Sequence, residues 1–176
     1  MALIYVTGPA GAGKSTATEE LRRRGYEAHD GDDELCAWYN DETGKMTTYP
    51  NDKASRPDDW EDRHSFKFSV QRIAELAQKA KGKTVFVCGN AMGNDLEVAD
   101  DYFDQVICLT LDEATMIRRV STRTNNAYGN DPDEQAIMCR DFQRTLDRYK
   151  SYGAQFVDSM RPVSRVVEDI LKLAMP

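Results

Sequence analysis

The sequence has few of the residues that build metal or disulfide sites. Its 176 residues include only four cysteines and two histidines, and it contains no Cys-x-x-Cys pair. This scarcity argues against a Cys/His zinc site, which needs four suitably spaced ligands. Cys88 and Cys108 lie in apolar, strand-like runs, where a free cysteine behaves as a small hydrophobic residue. We therefore expect reduced, structural cysteines, as in a cytoplasmic protein.

Long apolar runs are also scarce, and the 23 basic residues are outnumbered by 30 acidic ones. The formal net charge of -7 argues against broad binding to nucleic acids or anionic membranes, because both need a basic surface. No apolar run approaches the ~20 residues that cross a bilayer. The first residues, MALIYVTG, show no basic leader and no cleavage site, so they are interpreted as a strand and not as a signal peptide. We expect a cytoplasmic location, with no nucleic-acid and no membrane partner.

Strand-like and helix-like segments alternate along the chain, which is typical of a parallel sheet covered by helices. Strands are predicted at 3–7, 26–29, 83–88, 105–111 and 155–158. Helices are predicted at 14–24, 32–39, 57–80, 112–124, 133–152 and after 162. The helix that starts at Pro57 is predicted from an apolar face at helical spacing that begins with Phe66 and Val70. With no repeat and no linker, the chain is predicted to be one α/β domain over 1–176.

A glycine-rich loop, GPAGAGKS, lies between the first predicted strand and the first predicted helix. It satisfies the pattern G-x-x-x-x-G-K-[ST], and it follows a predicted strand and precedes a predicted helix, as phosphate-binding loops of this pattern do. A glycine-rich turn that matches the pattern by chance is the weaker interpretation. The glycines allow successive backbone N–H groups to point at phosphate oxygens, and the helix adds its positive N-terminal end. Lys14 would bridge the outer phosphates, and the Ser15 hydroxyl would bind a magnesium ion. The predicted nucleotide-binding residues of this loop are Gly8, Ala10, Gly11, Ala12, Gly13, Lys14, Ser15 and Thr16.

Two aspartates, Asp30 and Asp32, follow the second predicted strand in the segment HDGDDE. In an open parallel sheet, ligands bind beyond the carboxyl ends of the strands, so both carboxylates are expected to face the nucleotide. One would hold magnesium, and the other would accept the proton of a substrate hydroxyl. The alternative is a simple turn that caps the next helix. The position beyond the strand end favours function.

The segments GPAGAGKST, HDGDD and RRVSTRTNNAYG resemble the P-loop small-molecule and nucleotide kinases, the group that contains adenylate, shikimate and gluconate kinases. More narrowly, the chain is similar to small bacterial kinase-like proteins of the AAA family ATPase type, whose substrate is undefined. The resemblance covers the whole chain. It implies a P-loop NTPase fold with three α/β/α layers, a five-stranded parallel sheet in the order 2-3-1-4-5, and a small lid at 119–132. It also implies ATP and Mg²⁺ as cofactors.

The resemblance also implies roles for individual residues. Asp30 and Asp32 match an Asp-x-Asp pair in which the first residue is assigned to magnesium and the second to the acceptor hydroxyl. Arg119 matches an arginine that packs on adenine, and Pro162 a proline that covers the other adenine face. Arg123 begins the lid, where a mobile arginine would stabilise charge on the transferred phosphoryl group. The predicted catalytic residues are Lys14, Asp30, Asp32 and Arg123.

The sequence lacks motifs that are typical of two other classes of nucleotide-binding proteins. The third predicted strand ends in VFVCGNAMGN, without the acidic residue that motor ATPases carry at this position. The Asn-Lys-x-Asp motif, with which GTPases recognise the base, is also absent. Gly89 and Asn90 resemble instead the glycine-rich substrate side of shikimate kinase-like enzymes. These differences weigh against a mechanochemical ATPase and against a GTPase.

The region 33–68 is predicted to bind the acceptor. It combines aromatic side chains with a few cations, which favours a ring-bearing or anionic acceptor. Phe66 is better explained as a core residue of the predicted helix. The predicted acceptor-binding residues are Asp32, Trp38, Arg56, Arg63, Gly89 and Asn90.

Together these features predict a kinase that depends on ATP and magnesium and acts, as a monomer or homodimer, on a small molecule. The acceptor would be a nucleoside, a nucleotide, or an aromatic or sugar metabolite. The alternative is a nucleotide-binding regulatory or interaction protein with slow ATP hydrolysis and no acceptor. The aspartate pair and the arginine-bearing lid favour the kinase, because a simple binding protein needs neither.

Overall fold

A computed structural model describes residues 2–50, 56–57, 59–123 and 132–175. The strands are β1 (Leu3–Thr7), β2 (Glu27–Asp30), β3 (Cys36–Asn40), β4 (Met46–Thr47), β5 (His64–Phe68), β6 (Val85–Cys88), β7 (Gln105–Thr110) and β8 (Gln155–Asp158). The α-helices are α1 (Lys14–Arg23), α2 (Val70–Lys79), α3 (Asp95–Tyr102), α4 (Glu113–Thr122), α5 (Pro132–Tyr152) and α6 (Val163–Ala174). A π-helical turn spans Gly31–Leu35, and a 3₁₀ turn spans Glu61–Arg63.

Five strands form a parallel sheet in the order β2-β6-β1-β7-β8. Counted in chain order within this sheet, the order is 2-3-1-4-5, which confirms the expectation. The register places Cys88 beside both Asp30 and Val6. The carboxyl ends of β2, β6 and β1 therefore meet at one edge of the sheet, where the glycine-rich loop also begins.

Helices cover both faces of the parallel sheet and produce the predicted three-layer α/β/α architecture. Because side chains alternate along a strand, neighbouring residues of β1 enter different cores. Val6 packs with Leu21 of α1 and Ile170 of α6 in one buried cluster. Tyr5 packs with Ile73 of α2 in the other.

The segment between β2 and β6 differs from the prediction, because it contains an antiparallel sheet in the order β4-β3-β5. The predicted helix over 32–39 is wrong: the chain there forms the π-helical turn and then β3. The helix predicted from Pro57 is also wrong before Val70, where α2 begins. Phe66 lies in β5, directly opposite Trp38 of β3. The alternation of HSFKF fits a strand, and pairing with β3 buries Phe68, which outweighs the apparent helical spacing.

The remaining elements match the predicted positions to within a few residues, except that the sequence gave no signal for the short helix α3. All four cysteines are free, and burial raises the pKa of the Cys88 and Cys108 thiols to about 12. Within the described ranges, no helix is long and apolar enough to cross a membrane.

Candidate active site

The glycine-rich loop is pressed tightly against the sheet. Gly8 has φ +143°, a conformation that favours glycine, and a Cβ there would lie 2.4 Å from the carbonyl oxygen of Leu109 in β7. The Lys14 ammonium folds back over the loop and donates to the carbonyl oxygens of Gly8 (2.9 Å) and Pro9 (3.1 Å). The lysine is thereby held where a bound phosphate chain would meet it. Burial lowers the pKa of Lys14, and the nearby Asp32 carboxylate opposes this effect.

A pocket of about 450 Å³ opens over this loop. It brings together many of the predicted site residues, namely Gly11, Ala12, Gly13, Lys14, Ser15, Thr16, Asp32, Arg119 and Arg123. The other lining residues are Ala17, Ser159, Arg161, Val163 and Val166. Of the predicted catalytic and nucleotide-binding residues, Gly8, Ala10, Asp30 and Pro162 are not part of the lining, although Pro162 lies between two residues that are.

The pocket is strongly cationic, unlike the chain as a whole. Lys14, Arg119, Arg123 and Arg161 line it, and Asp32 is the single acidic residue among the described lining residues. Basic groups around a loop of backbone N–H donors suit a polyphosphate. The residues present therefore fit a nucleoside triphosphate at this site.

Asp32 is held at the edge of the parallel sheet by the residues that follow β6. The backbone N–H of Asn90 donates to Asp32 Oδ1 at 2.7 Å. A Cβ on Gly89 would lie 2.8 Å from the same oxygen, so only glycine leaves room for the carboxylate. Burial raises the pKa of Asp32, while Lys14 and the Asn90 N–H oppose the shift. A carboxylate with a raised pKa is a stronger proton acceptor than an ordinary aspartate.

Asp30 ends β2 and does not line the pocket. Its Oδ1 accepts the backbone N–H groups of Asp32 (3.2 Å) and Asp33 (3.4 Å), which caps the π-helical turn. The turn-cap alternative thus describes the geometry of Asp30. Its assignment to magnesium remains a prediction.

The lining offers Ser15 and Asp32 as oxygen ligands for Mg²⁺. Magnesium prefers such hard oxygen donors and takes its other ligands from phosphates and water in sites of this kind. The described residues contain no cluster of three or more His, Cys, Asp or Glu side chains that could hold a metal. A magnesium ion carried in by a nucleotide needs no such cluster.

Arg119 joins two walls of the pocket. Its guanidinium donates to the carbonyl oxygens of Gly11 (3.1 Å) and Ser159 (2.9 Å). The Ser159 hydroxyl in turn donates to the Thr110 carbonyl oxygen at 2.8 Å. Arg123 follows the last residue of α4 and belongs to the predicted lid. Burial lowers the pKa of Arg123. Residues 124–131 of that lid lie outside the described residues.

The sequence interpretation missed Ser159 and Arg161. Both follow the carboxyl end of β8, where the strand-end argument used for Asp32 applies equally. Arg161 also forms an ion pair with Asp169 of α6, at 2.5 Å. The predicted strand at 155–158 therefore already indicated that residues just after it could line the site.

One predicted acceptor residue, Trp38, belongs to an aromatic cluster on the antiparallel sheet, and another, Arg56, lies against this cluster. The cluster consists of Trp38, Tyr49, Trp60 and Phe66, with ring centroids 5.0–5.4 Å apart. Trp60 is buried, and the Arg56 guanidinium lies 4.9 Å from the centre of the Tyr49 ring. The predicted region 33–68 thus has its own small core, and residues 51–55 and 58 of it lie outside the described residues.

Arg63 lies on the surface, where its guanidinium pairs with the exposed Asp59 at 2.9 Å. Like Trp38, Arg56, Gly89 and Asn90, it does not line the nucleotide pocket. The acceptor roles of these five residues remain predictions.

A model of the AAA domain family matches residues 4–140, and the chain belongs to that family. No curated protein matches the sequence.

Solved structures share the fold at low sequence identity. A shikimate kinase from Acinetobacter baumannii in complex with shikimate has a TM-score of 0.60 and 18% identity, over 98% of this chain and 92% of that one. A gluconokinase from Sinorhizobium meliloti 1021 has a TM-score of 0.52 and 17% identity, over 97% and 92%. A deoxyadenosine kinase from M. mycoides with bound dATP has a TM-score of 0.51 and 18% identity, over 97% and 98%. The fold is therefore that of the P-loop small-molecule kinases.

Proposed function

We propose that this protein is a phosphotransferase that moves the γ-phosphoryl group of ATP to a small-molecule acceptor and depends on magnesium. The observation that carries the proposal is the pairing of a cationic phosphate pocket with one carboxylate of raised pKa, Asp32, at its edge. A protein that only binds nucleotide gains nothing from a proton acceptor beside the outer phosphates.

The residues divide the work of phosphoryl transfer among them. The glycine loop and Lys14 would hold the outer phosphates, while Arg123 and Arg161 would offset the charge on the transferred group. Asp32 would accept the proton of an acceptor hydroxyl and orient its oxygen for in-line attack. Ser15 would hold Mg²⁺, which supplies neutralisation of charge on the phosphate oxygens when it is bound.

The acceptor is expected to present a hydroxyl group. The similar structures are named for shikimate, gluconate and deoxyadenosine, which are all hydroxyl compounds. Among the described lining residues Asp32 is the single carboxylate, which suits deprotonation of a hydroxyl better than the approach of an already anionic phosphate. We therefore expect a hydroxyl-bearing metabolite or nucleoside.

The test is ADP release from ATP and Mg²⁺ with a panel of nucleosides, nucleotides, sugars, sugar acids and aromatic acids. Product mass is measured for every acceptor that increases ADP release, and a Lys14→Ala variant serves as the inactive control. Acceptor-dependent ADP release, with a product heavier by one phosphoryl group, is the expected result. Binding of ATP with only slow, acceptor-independent hydrolysis across the panel would favour the regulatory or interaction protein.

A further inference from the structure

A short loop, residues 89–94, lies between the end of β6 and the start of α3 and contacts two separate parts of the fold. At its beginning, the Asn90 N–H donates to the Asp32 carboxylate. At its end, Gly93 and Asn94 lie against β5, an edge strand of the antiparallel sheet. The loop therefore connects the carboxylate proposed for catalysis with the region that is predicted to bind the acceptor.

The Asn94 side chain completes the hydrogen bonding of the outer edge of β5. The Ser69 N–H donates to the Leu35 carbonyl oxygen, so the backbone of Ser69 faces the side of β3. Hydrogen bonding alternates in direction along an antiparallel strand, so the backbone groups of Phe68 point the other way. There Asn94 Oδ1 accepts from the Phe68 N–H at 2.8 Å, and Asn94 Nδ2 donates to the Phe68 carbonyl oxygen at 3.0 Å. The amide thus takes the place of a neighbouring strand.

Gly93 allows the loop to approach this edge closely. A Cβ on Gly93 would lie 2.8 Å from the Phe66 carbonyl oxygen and 2.6 Å from Cγ of Lys67. The first of these contacts is with backbone, which cannot turn aside as a flexible side chain can. Glycine at this position therefore keeps the amide of the next residue within hydrogen-bond distance of Phe68.

The Asn94 amide is directed at β5 although Asn94 is the N-cap of α3. Asparagine is a preferred N-cap residue because its side chain can accept from the first N–H groups of a helix. At this N-cap the side chain makes no such hydrogen bond. The contacts with Phe68 take its place, which indicates a use of Asn94 beyond starting the helix.

The residue after Asn94 anchors the loop to the body of the fold. The Asp95 carboxylate is fully buried, and the Arg148 guanidinium of α5 donates to both of its oxygens, at 2.6 Å and 3.1 Å. The Tyr149 hydroxyl donates to it as well, at 2.5 Å. A buried carboxylate with several donors is a fixed point, because each unmade bond would leave a desolvated charge. Asn94 therefore holds the antiparallel sheet from a rigid base.

We propose that Asn94 is a positioning residue that holds the antiparallel sheet against the loop 89–94 and thereby sets the distance between a bound acceptor and Asp32. Asn94 does not line the nucleotide pocket, and its side chain binds backbone groups of Phe68. It acts on transfer through the orientation of the antiparallel sheet. The proposal rests on the proposed function and on the prediction that the region 33–68 binds the acceptor, whereas the orientation of the sheet can be measured without either.

The experiment measures residual dipolar couplings of the backbone amides in the full chain, without nucleotide or acceptor. Couplings of the parallel strands give the alignment frame, and couplings of β3 and β5 give the orientation of the antiparallel sheet in that frame. Asn94→Ala removes both hydrogen bonds to Phe68. Asn40→Ala is the matched control, because Asn40 lies at the opposite end of β3. Its Oδ1 accepts from the Thr43 N–H and from the Thr43 hydroxyl, both at 2.8 Å.

We expect Asn94→Ala to change the couplings of β3 and β5 relative to the parallel sheet and to speed amide hydrogen exchange at Phe68. Asn40→Ala should leave both unchanged. With the acceptor found in the panel, Asn94→Ala should lower kcat by up to about 10²-fold, since a displacement of about 1 Å can cost this much. The KM for ATP should stay as in the parent, because the nucleotide pocket is not altered.

Asn94→Asp decides the matter if Asn94→Ala fails to fold. Aspartate also suits an N-cap and keeps an oxygen for the Phe68 N–H, but it cannot donate to the Phe68 carbonyl oxygen, so it should change the same couplings. An unchanged orientation in the folded Asn94 variants, or an equal change in Asn40→Ala, would overturn the proposal. A changed orientation with unchanged transfer would overturn its link to catalysis. A changed orientation beside a flat acceptor panel for the parent would instead refute the kinase and leave the positioning of the sheet standing.

Discussion

The backbone N–H of Asn90 donates to Asp32 Oδ1 at 2.7 Å, across 58 positions of sequence. The bond joins the residues that follow two neighbouring parallel strands, β2 and β6. It places the carboxylate in the lining of the cationic pocket that Lys14 also lines. The chemistry that we propose depends on this placement.

Asp32→Asn should abolish most acceptor-dependent phosphoryl transfer and leave ATP binding nearly unchanged. The amide keeps the shape of the side chain but does not accept the proton, and general-base catalysis contributes about 10²–10⁴-fold. ADP release with the acceptor found in the panel measures transfer, and calorimetry measures ATP binding. The matched control is Asp33→Asn, an exposed neighbour that contributes its backbone N–H to Asp30. Equal losses in the two variants would remove Asp32 from its catalytic role.

The acidic limb of the transfer reaction should lie above the range of an ordinary aspartate. Burial raises the pKa of Asp32 from its ordinary value of 3.8, and the base works only when it is deprotonated. Activity is therefore complete above the raised pKa and is lost as the pH falls through it. The dependence of kcat/KM on pH measures this limb. The residual activity of Asp32→Asn should show no such limb, and a limb shared by both proteins would assign it to another group.

Gly89→Ala should lower transfer while ATP still binds. The added Cβ would lie 2.8 Å from Asp32 Oδ1, closer than such contacts allow, so the carboxylate must move. A displacement of about 1 Å at a reacting group can cost about 10²-fold in rate. The effect is measured as kcat on two backgrounds, since Gly89→Ala should add nothing to Asp32→Asn. An additive loss in the double variant would show that Gly89 acts elsewhere.

Glu20→Gln should remove a pH-dependent part of the stability. Glu20 accepts from Arg23 (2.6 Å) and Arg24 (2.7 Å), and these hydrogen bonds lower its pKa from 4.5 to about 2. Because the pKa is lower in the folded state, the stabilisation is present above about pH 4.5 and is lost as the pH falls toward 2. Urea unfolding between pH 3 and pH 7 should show a weaker pH dependence for Glu20→Gln than for the parent.

The control for this prediction is Glu19→Gln, an exposed neighbour on the same helix α1. It should follow the parent over the whole pH range. If Glu20→Gln also follows the parent, its contacts with the two arginines make no net contribution to the free energy of unfolding.

The parallel sheet and the nucleotide pocket were predictable because local patterns encode them. Each parallel strand is a short apolar run, and the loop before Lys14 has a spacing that few other structures require. The antiparallel sheet was not predictable in this way. The segment around Phe66 shows a helical spacing in isolation, and only the pairing with Trp38, 28 residues earlier in the chain, makes it a strand.

The prediction of the site was limited in the same way, because its side chains depend on contacts with residues that are distant in the sequence. Asp32 could be proposed from its place beyond a strand end, but its dependence on Gly89 and Asn90 is a matter of packing. Asp95 and Tyr149 carried no motif, since a buried carboxylate is recognisable only when its donors are known. Arg161 was the exception, because its position after β8 was available from the predicted strand.

The two ends of the chain segment that forms the antiparallel sheet lie side by side where they join the rest of the fold. Cys36, its first residue, pairs with Phe68, its last, and the Ser69 N–H donates to the Leu35 carbonyl oxygen at 2.9 Å. An inserted segment whose two ends are adjacent can become longer or shorter, or change in sequence, at little entropic cost to the rest of the chain. On the prediction that this region binds the acceptor, the choice of acceptor would be separable from the handling of phosphate, and the segment 36–68 could be exchanged between relatives as one unit.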